Sequence, residues 1–151
     1  LDLYEGTYLE YSYYLGRVGA DGPVDPYGTI TPQKPLVIKG GDIVLVNLDP
    51  VIGSEQGKTR PALVIQNDVG NKYSPTTIVA PITTKLFSKE FPTNVKISAS
   101  VSGLEFDSTV LLNQIRTIDK KRIIRKSGNV SKEIMIKVNE AIKASLGLNE
   151  K

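Results

Sequence analysis

The sequence predicts a mostly β domain with a C-terminal helix, arranged as a small barrel or sandwich. Short runs rich in β-branched residues recur between positions 42 and 115, and Gly, Pro, Asn and Asp separate them. This alternation of short strands and turns is typical of small all-β folds. After residue 131 the apolar residues recur at helical spacing instead. The length of 151 residues suits one globular domain with a real core.

Five runs carry the β pattern. The fourth alternates polar and apolar residues, so one of its faces should meet solvent. Pro81 lies inside the third run and predicts a sheet edge or a bulge there, because proline cannot donate to a ladder. The runs are residues 42–48, 62–65, 77–82, 93–98, and 108–112 continuing to 115.

The last segment predicts an amphipathic helix over residues 132–146 that covers one end of the barrel. Ser131 is a favourable N-cap, and Glu133 places a negative charge in the first turn. Gly147 follows as a C-cap that tolerates the left-handed conformation.

Residues 1–35 differ from the rest of the chain in charge and composition. They hold five acidic and two basic residues, a balance of −3, whereas the remainder has a balance of +6. Tyr and Leu residues in 1–15 are spaced for one helical face, although an alternating strand also fits, and we favour the helix. The Gly and Pro residues of 16–35 indicate a linker. The predicted organisation is therefore an acidic, Tyr-rich arm with its linker, residues 1–35, followed by a domain over residues 36–151.

The composition excludes several chemistries. The chain has no Cys, which excludes disulfides, thiolate metal sites and a Cys nucleophile. It has no His, the commonest general base and metal ligand. We therefore expect neither a metal nor another cofactor. No apolar run approaches the roughly 20 residues that cross a bilayer, so we expect a cytoplasmic protein without membrane association.

The densest polar stretch, residues 53–61, lies between the first two predicted strands. Gly53 and Gly57 permit a tight loop, and Arg60 stands where the second strand is entered. A guanidinium held at a strand end can bind a phosphate through two parallel hydrogen bonds. The alternative is an ordinary surface loop with a surface arginine.

Other polar residues follow the later strands. The hydroxyls of Thr83 and Thr84 either donate to a phosphate oxygen or belong to a solvated strand end. Gln114 and Arg116 either contact nucleic acid or form the outer face of an alternating strand. The basic cluster within residues 120–126 suits RNA electrostatics, but such a run is more often simply solvated.

Taken together, these segments resemble the MazF/PemK family of RNA-cutting toxins. The match spans about residues 38–148, and the order and spacing of its motifs make it specific. GSEQG and QIRTID resemble the Gram-positive, bacillus-like branch. The motifs are GDI at 41–43, DPVIGSEQG at 49–57, TRPALVIQND at 59–68, SPT at 74–76, IT at 82–83, PT at 92–93 and QIRTID at 114–119.

The resemblance implies a fold, an activity and partners. The implied fold is an SH3-like β-barrel of the PemK/CcdB type with a C-terminal helix, used as a homodimer. The implied activity is that of the toxin of a toxin–antitoxin system, a metal-independent and ribosome-independent endoribonuclease that cuts single-stranded messenger RNA at short sequences. The 2′-hydroxyl attacks the phosphate, leaving a 2′,3′-cyclic phosphate and a 5′-hydroxyl. The implied partner is a MazE-like antitoxin, and DNA is not a substrate because it lacks the nucleophile.

The family's catalytic arginine and threonine fall on Arg60 and Thr83. Arg60 would stabilise the anionic phosphorane and could also move a proton. A guanidinium is a poor general base, which favours electrostatic stabilisation as the main role of Arg60. The resemblance places RNA contacts at Ser54, Glu55, Gln56, Lys58, Thr84, Gln114, Arg116 and Arg122.

The sequence departs from the family pattern in two places. Asn113 stands where bacillus-like relatives carry an acidic residue, which affects the recognised RNA sequence rather than the chemistry. Residues 1–35 precede the usual start of the family. Antitoxins of the family end in acidic, apolar-rich peptides that occupy the RNA groove, so we hypothesise that the arm folds onto the domain and lowers its activity. An extra packed helix or a gene-start artefact are the alternatives.

Two other functions fit a small barrel. A gyrase poison of the CcdB type uses a Trp-containing C-terminal end, but this chain has no Trp. A non-catalytic nucleic-acid-binding barrel would leave Arg60 and Thr83 without a chemical role.

Overall fold

A computed structural model describes residues 36–148, so the predicted N-terminal helix and linker lie outside the described residues. The described part is a seven-stranded antiparallel sheet with three α-helices. The elements are β1 (Asp42–Asn47), β2 (Thr59–Val64), α1 (Asp68–Tyr73), β3 (Thr76–Thr83), β4 (Asn94–Ile97), α2 (Ala99–Ser102), β5 (Ser108–Leu111), β6 (Arg116–Asp119), β7 (Ile123–Asn129) and α3 (Lys132–Leu146), with 3-10 turns at Leu112–Gln114 and Lys120–Arg122.

The sheet bends around β3. The strands follow the order β4-β5-β3-β2-β1-β7, and β6 also pairs with β3. One edge of β3 pairs with β2; the other pairs with β6 along its first half and with β5 at its last two residues. Register shifts in the β1–β7 pair add further bending. The result is a barrel-like sheet that the described strands do not close into a complete ring.

Side chains on the two faces of the sheet form separate cores. Ile43 and Leu63 belong to the core beneath α3, where Val138 and Ala141 of the helix are buried. The alternate residues of the same strands build a second core on the opposite face: Val44, Val46, Ala62, Val64, Val79 and Ile118. The prediction of a mostly β fold with a C-terminal helix is confirmed, and the buried residues of α3 belong to the first of the two cores.

The boundaries of α3 agree with those predicted. The Ser131 hydroxyl accepts a hydrogen bond from the Ile134 N–H at 3.2 Å. At the other end Gly147 has a φ of 71°, the left-handed conformation that glycine adopts without a side-chain clash.

Several local expectations were wrong. β2 begins at Thr59 rather than at residue 62, so Arg60 lies within the strand. The fifth run does not continue to residue 115, because β5 ends at Leu111 and a 3-10 turn follows. The short helices α1 and α2 and the strands β6 and β7 were not predicted.

Pro81 lies in the interior strand β3, not at an edge of the sheet. The Ile65 N–H donates to the Ile78 carbonyl, so the alternation of an antiparallel ladder makes Ala62–Pro81 a non-hydrogen-bonded pair. The Pro81 nitrogen therefore points away from β2, at the place where the other edge of β3 changes partner from β6 to β5. A proline is tolerated there because no ladder bond needs its missing donor.

Candidate functional site

The two residues predicted to be catalytic lie at one end of the β2–β3 pair. The register pairs Leu63 with Ala80 and Ala62 with Pro81. Continuing it by two residues places Arg60 opposite Thr83. Because residues two apart share a face of a strand, both side chains lie on the face of Ala62, away from α3.

The Arg60 guanidinium is oriented by the loop that precedes β2. Its Nε donates to the Gly57 carbonyl at 2.7 Å, and the side chain is half-buried. The ion pairs of the described region involve other residues, so no carboxylate there neutralises the Arg60 charge. A half-buried guanidinium that is held only by a neutral carbonyl retains its attraction for an anion such as phosphate.

The Thr83 hydroxyl is held at the end of β3. Its Oγ1 accepts a hydrogen bond from the Lys85 N–H at 3.2 Å. Thr83 pairs with Thr109 of β5, whose own hydroxyl donates to the Lys85 carbonyl at 3.1 Å and fixes the following turn. Since a hydroxyl both accepts and donates, the Thr83 O–H can still donate to an added oxygen.

A cleft of about 740 Å³ lies beside these two residues. It separates the β1–β2 loop, residues 48–58, from the segment after β5. Neither Arg60 nor Thr83 lines it, but Pro81, two residues before Thr83 on the same face, does. The lining residues are Pro50, Ser54, Glu55, Gln56, Pro81, Asn113, Gln114, Ile115 and Arg116. The structure thus brings together five of the eight residues predicted to contact RNA, whereas Lys58, Thr84 and Arg122 lie outside this lining.

Three of the predicted RNA contacts hold the β1–β2 loop in the structure. The Gln114 Oε1 accepts a hydrogen bond from the Gln56 N–H at 2.9 Å. Arg116 donates from Nη1 to the Leu48 carbonyl at 2.9 Å. Arg122 donates from Nη1 to the carbonyls of Asn47, at 3.1 Å, and Asp49. These side chains support the loop in the free protein, and their contact with RNA stays a prediction.

The loop is also closed by its own polar groups. The Glu55 Oε1 accepts from the Ile52 N–H at 2.6 Å. The Asp49 Oδ1 accepts from the Lys58 N–H at 2.7 Å, and the Leu48 N–H donates to the Lys58 carbonyl at 2.9 Å. Asp49 was not among the residues predicted from the sequence, because a lone carboxylate in a polar loop carries no signal of its own.

The basic cluster of residues 120–126 does not form one surface. Lys126 pairs with Asp42 at 3.2 Å. Lys120 donates from Nζ to the Asn71 carbonyl, and burial lowers the pKa of its ammonium. Only Arg122 of the cluster reaches the β1–β2 loop. The positive charge near the cleft therefore comes from separate parts of the chain: Lys58, Arg60, Arg116 and Arg122, against Asp49 and Glu55.

Within residues 36–148, no three acidic side chains cluster in a way that could hold a metal ion. None of the helices in that range is long and apolar enough to span a bilayer.

A barrel-like sheet with an uncompensated guanidinium, and with a hydroxyl that can still donate, beside an open cleft has the groups suited to binding a phosphate. The chain belongs to the PemK-like, MazF-like toxin family of type II toxin–antitoxin systems, whose sequence pattern matches residues 39–146.

The chain matches two curated relatives over nearly their whole length. It is 51% identical over 113 residues to endoribonuclease EndoA of Bacillus subtilis (strain 168), and the matched segment covers 75% of this chain and 97% of the relative. It is also 51% identical over 113 residues to endoribonuclease MazF of Staphylococcus epidermidis, with 75% and 94% covered. The family predicted from the sequence is confirmed, and these names agree with the predicted enzyme class.

Solved structures support the same fold. The MazF crystal structure from Deinococcus radiodurans superposes with a TM-score of 0.64 at 25% identity, covering 75% of this chain and 99% of that one. A MazE–MazF crystal structure from the same organism gives a TM-score of 0.61 at 26% identity, with 76% and 100% covered.

Proposed function

We propose that this chain is the toxin of a toxin–antitoxin pair and acts as a ribosome-independent endoribonuclease on single-stranded messenger RNA. The proposal rests on the β2–β3 register, which brings Arg60 opposite Thr83 when it is continued by two residues, at the strand end beside the cleft. Names of the relatives support the same activity. A messenger RNA substrate implies a cytoplasmic site of action.

In the proposed reaction the 2′-hydroxyl attacks the adjacent phosphorus. An O–P bond forms as the 2′-hydroxyl gives its proton to water, the bond to the 5′-oxygen breaks, and the leaving oxygen takes up a proton in turn. The products are a 2′,3′-cyclic phosphate and a 5′-hydroxyl. Arg60 stabilises the charge that develops on the phosphorane, and the Thr83 hydroxyl donates to one of its oxygens. This nucleophile belongs to the substrate, so no metal is needed to activate water, and we propose a metal-independent reaction without a cofactor.

RNA sequence is proposed to be read by the loop side of the cleft. Single-stranded bases are recognised through their edges and their stacking surfaces, while phosphates set the position of the strand. Ser54, Glu55 and Gln56 offer donors and acceptors from the loop, and Gln114 faces them. Lys58, Thr84, Arg116 and Arg122 surround this region and would attract the RNA backbone.

The proposed partners are a second copy of the chain and a MazE-like antitoxin. The D. radiodurans structure named MazE–MazF supports the antitoxin. Exposed apolar residues along one cavity of the described region support the dimer: Phe91 is 47% exposed and Ile136, on α3, is 64% exposed. Apolar residues left on a surface in this way are typical of interfaces.

Cleavage of a long single-stranded RNA in EDTA tests the proposal. We expect cuts at a short recurring sequence, with 5′-hydroxyl ends, because neither nucleophile nor stabilising charge depends on a metal. Sequencing the fragment ends would reveal the recognition sequence. Loss of cleavage in EDTA with recovery on adding Mg²⁺ would contradict the metal-independent reaction. Binding without cleavage would indicate a nucleic-acid-binding barrel, and damaged DNA with intact RNA would indicate a gyrase poison.

Deleting residues 1–34 tests whether the N-terminal arm inhibits the domain that follows it. The arm is acidic and the cleft is flanked by basic residues, so an arm that folds onto the cleft would compete with RNA. We expect the shortened protein to cut RNA several-fold faster at low ionic strength, with a smaller gain in about 1 M salt, which screens charges beyond roughly 3 Å. Equal rates for both proteins would exclude inhibition by the arm.

A further inference from the structure

We propose that Asp49 is a positioning residue that acts on Arg60 through a single peptide unit of the β1–β2 loop. The inference rests on the proposed function, because it assigns Asp49 a part in the same site. Asp49 is exposed and forms no ion pair within the described residues, so charge neutralisation does not explain its place.

The first link joins the Asp49 carboxylate to the backbone at the far end of the loop. Its Oδ1 accepts a hydrogen bond from the Lys58 N–H at 2.7 Å. Lys58 has a φ of 63°, a left-handed conformation that residues with a side chain rarely adopt. A charge-assisted hydrogen bond to its N–H stabilises that conformation.

The second link lies on the other side of the same peptide unit. The Lys58 N–H and the Gly57 carbonyl belong to one planar group, in which they point in opposite directions. Fixing the N–H therefore fixes the direction of the carbonyl. That carbonyl accepts the hydrogen bond from the Arg60 Nε at 2.7 Å. Asp49 thus determines where the acceptor for Arg60 is placed.

Packing around the peptide unit leaves little freedom. A Cβ at Gly57 would lie 2.6 Å from the Asp49 Oδ1 and 2.7 Å from a methyl group of Val51. The backbone of Asp49 is itself held, because its N–H donates to the Asn47 Oδ1 at 3.0 Å and its carbonyl accepts from Arg122. A series of contacts therefore runs from Arg122 through Asp49 to Arg60.

The Nε bond matters because it leaves the terminal nitrogens of Arg60 to the substrate. A guanidinium can bind a phosphate through two parallel bonds only when its plane is oriented correctly. When the hydrogen bond to Nε fixes the plane of the guanidinium, its two terminal nitrogens have one orientation. Loss of that bond would let the side chain sample several rotamers while RNA still binds elsewhere along the cleft.

Kinetic measurements on Asp49 variants test the proposal. We expect Asp49→Ala to lower kcat about tenfold with little change in KM, because a displaced catalytic group costs rate rather than ground-state binding. Asp49→Asn keeps an acceptor at Oδ1 and should stay close to the wild-type kcat. Asp107→Ala is the matched control: Asp107 is another exposed carboxylate that accepts a backbone N–H, from Ala99 at 2.8 Å, and its loss should leave kcat unchanged.

A double-mutant cycle separates positioning from general support of the fold. In an Arg60→Lys background the Nε donor is absent, so adding Asp49→Ala should lower kcat no further. A full additional loss, or a wild-type kcat for Asp49→Ala alone, would overturn the proposal. Wild-type protein that does not cut RNA would instead contradict the proposed function.

An NMR measurement tests the same link without any activity. The Arg60 Nε–H resonance, assigned by its absence in Arg60→Lys, should be protected from solvent exchange in the wild-type protein and in Asp49→Asn. It should lose that protection in Asp49→Ala. The Tm of this variant should stay close to that of the wild-type protein, which would show that the fold persists. Equal protection in all three proteins would overturn the positioning role.

Discussion

Replacing Arg60 with alanine is expected to lower the rate of RNA cleavage by about 10²–10³-fold, the usual cost of removing one preorganised donor from a developing oxyanion. The guanidinium is half-buried and is not neutralised by any carboxylate in the described region, so its field acts on the phosphorane with little screening. Single-turnover cleavage of an RNA with one target sequence measures the effect.

The chain offers a matched control in Arg125. It is exposed on β7 and pairs with Leu45, whose neighbours Val44 and Val46 face the core on the site's side. Arg125 therefore lies on the opposite face, and Arg125→Ala should cut RNA at the wild-type rate. Arg60→Lys keeps the charge but not the planar fork, and should fall between wild type and alanine. Comparable rates for Arg60→Ala and Arg125→Ala would contradict the catalytic role.

Regular elements with one buried face could be predicted from the sequence. The helix α3 has a capping serine, a C-terminal glycine and apolar residues at helical spacing, and all three signals are local. Most residues of β1, β3 and β5 are buried, and each strand contains a short apolar run. In each case burial imposed a pattern that a short window of sequence retains.

Elements without such a pattern were missed. Most residues of β7 are exposed or only half-buried, so hydrophobicity does not alternate along it, and its place depends on pairing with the distant strand β1. β2 was predicted to begin at residue 62, whereas it begins at Thr59 and Pro61 pairs with Leu45 inside the strand. Pairing between distant segments decided both cases, and local propensity carries no information about it.

In the candidate site, too, some features could be predicted from the sequence and others depend on contacts between distant segments. The family resemblance assigned Arg60 and Thr83 to one site, and the β2–β3 register, continued by two residues, is compatible with that assignment. The hydrogen bonds of Gln114, Arg116 and Arg122 to the β1–β2 loop could not be predicted, because each joins residues more than 50 positions apart. Asp49 could not be predicted for a related reason: its proposed role depends on the direction of one peptide unit, which the sequence does not show.

The loop contacts also bear on how RNA would enter the cleft. Arg116 and Arg122 donate to neutral backbone carbonyls, which are weaker acceptors than a phosphate oxygen. An RNA strand lying along the cleft would therefore compete with the loop for these guanidinium groups. Support of the loop and contact with RNA are then alternative uses of the same side chains.

A single 2′-deoxynucleotide at the cut position is expected to abolish cleavage there, the largest effect predicted for this protein. The substitution removes the attacking oxygen and leaves the phosphate, the bases and every other contact in place. The measurement uses two otherwise identical RNAs, one with the deoxynucleotide on the 5′ side of the scissile phosphate and one with it two nucleotides away. Only the first should resist cutting.

The uncut RNA should still bind and should inhibit cleavage of normal RNA competitively. Affinity for a nucleic acid comes mainly from its phosphates, and the deoxynucleotide removes none of them. An inhibition constant close to the KM of the normal substrate would therefore place the 2′-hydroxyl in the chemical step rather than in binding. Cleavage of the deoxy position, with a 3′-hydroxyl or an uncyclised 3′-phosphate at the new end, would show that water is the nucleophile. Arg60 and Thr83 would then have to serve a hydrolysis, for which a chain without His lacks the commonest general base.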